Sequence, residues 1–142
     1  MPAPRVFVLL AALAALEGLA MIGYAGVVAF NAISGASYGV IGNSTSAMVI
    51  EIVIFAVLGL GLLAVARGWL RMSRWARGPF ILAQLLGLLA GASFAFGGGS
   101  SGDVLAGMIL GVPSLVGLVL SFNPVVLRSY SESYRTPGSD LG

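Results

Sequence analysis

The chain has 142 residues, 58% of them hydrophobic and only 8% charged, with a formal net charge of +2. A soluble domain of this length carries about 25% charged residues, so the composition points to a membrane protein. There is no cysteine and no histidine, which removes disulfides, thiolate nucleophiles, Cys/His zinc sites, iron–sulfur clusters and His-ligated haem.

About 20 apolar residues are needed to cross a hydrocarbon core of roughly 30 Å. Four runs meet that requirement, at about 6–31, 47–66, 79–97 and 104–122. The segments "SGASYGVIGNSTS", "RGWLRMSRWARGP" and "GGGSSGD" separate them. Pro79 suits the first turn of span three, and Asp103 suits the N-cap of span four. The apolar run after "MPAPRVF" continues well past the length of a signal-peptide core, so the first helix is expected to stay uncleaved. The fold class expected is all-α, a four-transmembrane-helix bundle. It occupies residues 1–128, and residues 129–142 form a polar tail.

Arg5, Arg67, Arg71, Arg74, Arg77, Arg128 and Arg135 all fall at the N-terminus, the central loop or the tail. Chains retain such residues on the cytoplasmic side, so both termini are expected in the cytoplasm. Trp69, Trp75, Tyr130 and Tyr134 fall on the same side, as interfacial aromatics do. The absence of lysine and the wealth of Ala, Gly, Leu and Val suggest a GC-rich bacterial genome. The expected location is the bacterial cytoplasmic (inner) membrane.

Polar residues inside the spans are the candidates for function. At 1.5 Å per residue, Glu17 lies about 15 Å from the inner edge, near the midplane. An acid there costs roughly 2.5–3.5 kcal/mol on insertion scales, so it faces protein or water. Desolvation favours its neutral, hydrogen-bonding form. Tyr24 and Asn31 follow at intervals of seven, which makes a polar stripe along one helix face. Glu51 comes out at about the depth of Tyr24. Pro113 and Ser114 come out near the depth of Glu17, and Pro113 leaves the Ile109 carbonyl without its helical donor. Glu17 is therefore expected to bond toward span four at this kink. Two roles fit the candidates Glu17, Tyr24, Asn31, Glu51 and Ser114. They can act as interhelical glue worth about 0.6–2 kcal/mol, or as an ion, proton or ligand site. Gln84 is read as glue. The pairs Gly87/Gly91 and Gly107/Gly111 permit close helix packing, inside the bundle or between copies.

Arg67, Arg71, Arg74 and Arg77 recur at spacings of four, three and three, and share one face if span two continues as a helix beyond the membrane. Such a patch attracts anionic lipid or another anion. It also serves simply to fix topology.

"LAALEGLAMIGYA" followed by "RGWLRMSRWARGPFILAQLLGL" resembles small four-span integral membrane proteins of actinobacterial type. These carry a first-span glutamate and an arginine-rich loop before a Gln-bearing third span. The resemblance implies a topology and no particular activity. Glu17 alone is also similar to the proton- and drug-binding glutamate of small multidrug resistance transporters. The arginine asymmetry and the third span depart from that family.

These features give two functional expectations. The first is a non-enzymatic accessory, assembly or self-associating membrane subunit. The second is a small proton-coupled transporter or channel using Glu17, with Tyr24, Asn31 and Glu51 lining its outer approach. No G-x-S-x-G, P-loop or aspartate cluster supports an enzyme. No cofactor or metal is expected. The expected partners are the bilayer, with anionic lipids at the arginine loop, and a second copy or a larger membrane complex. Nucleic acid is not among them.

Overall fold

The computed structural model describes residues 4–35, 44–97 and 101–132, and every regular element among them is helical. The elements are α1 (Arg5–Ile33), α2 (Thr45–Leu70), a 3₁₀ turn (Arg74–Ala76), α3 (Arg77–Phe96), α4 (Ser101–Ser121) and α5 (Pro124–Glu132). The first four helices are long and apolar enough to cross a membrane. At 1.5 Å per residue α1 and α2 measure about 43 and 39 Å, and α3 and α4 about 30 and 32 Å. The longer pair exceeds the roughly 30 Å of a bilayer core and the shorter pair matches it. Large apolar side chains such as Leu16, Phe30, Val57, Leu89, Ile109 and Val119 stand exposed on all four, as a lipid-facing surface requires.

Local chemistry sets the ends. Gly35, in left-handed backbone at φ 77°, follows the last residues of α1, where a residue without Cβ is favoured. Ser44 caps α2, its hydroxyl accepting from the Ala47 amide at 3.2 Å. At the other end of α2, the Met72 amide donates to the Trp69 carbonyl and the Ser73 amide to the Gly68 carbonyl. These two bonds make a Schellman motif, with Met72 at φ 51° in the position glycine usually holds. A left-handed residue bearing a Cβ costs about 1–2 kcal/mol. Asn123 caps α5 by accepting from the Val125 amide at 3.0 Å, and Pro124 takes the first helical position.

The helices form two hairpins, α1 on α2 and α3 on α4. In the first, Gly18 meets Gly59: a Cβ on either would lie 2.7 Å from the carbonyl oxygen of the other. In the second, a Cβ on Gly91 would lie 2.7 Å from the Gly111 nitrogen, and one on Gly107 would lie 2.6 Å from the Gly91 oxygen. Backbone therefore touches backbone at both crossings, and the two GxxxG pairs are used inside the chain. The hairpins join through an apolar cluster containing Phe7, Leu10 and Ala14 of α1, Leu62, Val65 and Trp69 of α2, Phe80 of α3 and Val126 of α5. Trp69 anchors it, edge-on to Phe7 (5.8 Å, 61°) and to Phe80 (5.6 Å, 87°). Each such aromatic pair contributes about 0.5–1.5 kcal/mol beyond its area. The cluster lies at the end of the bundle that carries the start of α1 and the α2–α3 turn, called here the arginine end.

Three expectations change. Trp69 is fully buried and is not an interfacial aromatic, because the Schellman turn directs it into the core; Trp75 is exposed. Helix α4 begins at Ser101, two residues before Asp103, so Asp103 is not its N-cap. The tail expected from residue 129 begins inside α5. Residues 36–43, 98–100, 133–142 and thus Tyr134 and Arg135 lie outside the described residues.

Candidate intramembrane polar site

Glu17 sits half-buried in the middle of α1, one residue before the Gly18 crossing. Its Oε2 accepts a hydrogen bond from Gln84 Nε2 on α3 at 2.7 Å. Gln84 is only 1% exposed. Gly117 of α4 makes its place: a Cβ there would lie 2.8 Å from the Gln84 Cδ and 2.8 Å from Leu13 Cδ2 of α1. Three helices thus converge, with an acid from α1, an amide from α3 and a gap from α4. Gln84 Oε1 is buried without a hydrogen-bond partner.

The bond expected from Glu17 toward the Pro113 kink is not the one formed. Ser114 Oγ donates to the Leu110 carbonyl of its own helix at 2.8 Å. That hydroxyl lies against Gly87 of α3, where a Cβ would collide with it. Ser114 consequently serves the α3–α4 contact, and Glu17 takes its partner from span three. Depth alone does not say which neighbouring helix an α1 side chain meets.

Tyr24 and Glu51 do come together. The Tyr24 hydroxyl donates to Glu51 Oε1 at 2.5 Å, and Glu51 is fully buried between α1 and α2. Phe55 lies against the Tyr24 ring, with centroids 4.7 Å apart. A seven-residue step turns a side chain by only about 20°, yet Glu17 reaches α3 while Tyr24 reaches α2. The stripe runs along the seam between those neighbours, and each side chain finds the partner at its own level. Asn31 lies partly buried near the far end of α1. The five candidates therefore fall into a Glu17–Gln84 pair, a Tyr24–Glu51 pair and two separate residues, Asn31 and Ser114. Tyr24→Phe removes a donor from a buried carboxyl. It is expected to destabilise the first hairpin by about 1–3 kcal/mol, read as a lower midpoint of unfolding in detergent, while Tyr24→Phe in a Glu51→Gln background costs less.

The four loop arginines do not share a helix face, since α2 ends at Leu70 and the chain turns. Arg67, Arg71 and Arg74 are exposed around that turn. Arg77 is partly buried, its guanidinium carbon 5.4 Å from the Phe122 ring centroid. Gly68 lets the turn fold back: a Cβ there would meet Ala76 Cβ at 2.7 Å and the Trp75 ring at 3.2 Å.

An open cleft of about 220 Å³ lies between α3 and α4, beyond the level of Gln84, lined by apolar side chains and by Gly91, Gly107 and Gly111. Neither Glu17 nor Glu51 lines it. Among the described residues no group of three His, Cys, Asp or Glu side chains could hold a metal.

The residues not foreseen as structural were Gly18, Gly59, Gly68 and Gly117. A signal existed for the first two: Gly18 is 13 residues from the start of α1 and Gly59 is 11 from the end of α2, about the same depth at 1.5 Å per residue. Comparison with protein-family models, curated proteins and solved structures returns no match.

Proposed function

We propose that this chain is a non-enzymatic integral protein of the bacterial cytoplasmic membrane, with both termini and the arginine end in the cytoplasm. In this reading it serves as an accessory or assembly subunit, or as a self-associating unit. The observation that carries the reading is the Glu17–Gln84 bond. The acid nearest the bilayer centre accepts a bond that joins one hairpin to the other, and Glu51 accepts one from Tyr24 of the neighbouring helix. Carboxyls bound to neutral donors across helices are what a packed bundle needs; a pathway needs carboxyls that exchange partners. The asymmetry of the arginines supports the orientation, and the apolar outer surfaces of all four spans leave ample area for another membrane helix.

The test is gentle purification of the tagged full-length protein with identification of what accompanies it, alongside reconstitution of Glu17→Gln. A reproducible second protein or a stable homo-oligomer is expected. Proton and solute flux across proteoliposomes is expected to be the same for wild type and Glu17→Gln. A flux in the wild type that Glu17→Gln abolishes would replace this reading with proton-coupled transport.

A further inference from the structure

We propose that the α2–α3 turn is a headgroup site for an anionic phospholipid, with Arg67 and Arg71 as its principal contacts and Arg74 beside them. This rests on the membrane reading above, in which the turn joins two spanning helices and lies at the depth of lipid phosphates. The three arginines are exposed there, and arginine's planar fork matches phosphate oxygens. Exposed apolar Leu70 and Met72 alternate with them along the chain, and exposed Trp75 follows Arg74. A site for a soluble anion has no use for that alternation. At a lipid surface it lets the apolar groups enter the acyl boundary while the guanidinium groups meet the phosphates.

Two features of the backbone support the assignment. Carbonyls at the end of a helix carry partial negative charge and repel anions. Here the Gly68, Trp69 and Arg67 carbonyls accept from Ser73, Met72 and Arg71, so the cationic field stands with those carbonyls already engaged. The second is Met72, which holds the left-handed C′ position at φ 51°. Glycine would fit that backbone better, and what methionine adds is an exposed apolar side chain at a chain position between Arg71 and Arg74. Packing inside the protein does not account for it, since Met72 is 43% exposed.

The experiment titrates delipidated full-length protein in detergent with phosphatidylglycerol or phosphatidylcholine, following bound lipid by native mass spectrometry. Wild type is expected to prefer phosphatidylglycerol. Each near-surface arginine contributes about 1 kcal/mol, so R67Q/R71Q is expected to weaken phosphatidylglycerol binding about 30-fold and leave phosphatidylcholine unchanged. R5Q/R128Q removes the same charge from the same end without touching the turn, and is expected to change binding less than a few-fold. Circular dichroism of both variants reports whether the helices persist, and R67K/R71K, which keeps the charge, covers the case of a misfolded R67Q/R71Q. Equal losses in R67Q/R71Q and R5Q/R128Q would overturn the site in favour of diffuse charge. Competition by inorganic phosphate would overturn it in favour of a soluble anion.

Discussion

Placing alanine at Gly91 or Gly107 is expected to destabilise the second hairpin by about 1–3 kcal/mol each, and valine or leucine by more. The new Cβ would lie within 2.6–2.8 Å of backbone atoms on the facing helix. Backbone cannot rotate aside as a side-chain end can, so the axes of α3 and α4 must separate. Separation also strips the dispersion contacts along the crossing, which in lipid are a main source of helix association. Gly18→Ala and Gly59→Ala are expected to act alike on the first hairpin, because each new Cβ would face the other glycine's carbonyl oxygen. Gly23 and Gly26 provide the contrast. A Cβ at either meets nothing within 4 Å, so alanine there is expected to be neutral, or stabilising by about 0.5–1 kcal/mol through reduced chain entropy. Unfolding midpoints of the six variants in one detergent system separate the two groups. A Gly107→Ala protein as stable as Gly26→Ala would contradict the close crossing.

The second large effect is expected at the pin between hairpins. Gln84→Leu leaves the Glu17 carboxyl without its amide donor in a low-dielectric setting, a loss of about 1–3 kcal/mol. Glu17→Gln is expected to cost little, since a side-chain carbonyl can still accept from Gln84 Nε2. Gly117→Ala approaches the same loss from the other side, because its Cβ would fall 2.8 Å from Gln84 Cδ and 2.9 Å from Oε1. The amide must then swing off Glu17. If the pin matters, Gly117→Ala is markedly worse in wild type than in a Gln84→Ala background. Equal costs in both backgrounds would mean that the contact with Leu13, not the pin, holds Gly117 as glycine.

The four long apolar helices were legible because crossing a bilayer would demand length and apolarity of each one independently of its neighbours. Counting a fixed rise along each helix also placed Tyr24 and Glu51 at one level before any contact was known. Choice of neighbour was not legible. Glu17 meets Gln84 because Gly117 of α4, lying against Leu13 of α1, leaves a gap through which the α3 amide reaches across, and nothing in α1 encodes that gap. The arginine spacing misled for a local reason: a helical period of three to four continues through 67–77, while Met72 in left-handed backbone ends the helix in the middle of it. Methionine carries no sequence signal for that position, as glycine would have done. Trp69 was misplaced by the same turn, since a residue near the end of a span reads as interfacial until the chain folds back over it.

A double-mutant cycle on Glu17 and Gln84 measures the central claim most directly. Glu17→Leu, Gln84→Leu and the double variant would be compared with wild type by reversible unfolding in mixed micelles. If the pair holds the two hairpins together, the double variant costs less than the sum of the singles, with a coupling of about 0.6–2 kcal/mol. Additive losses, with no coupling between the two positions, would contradict it.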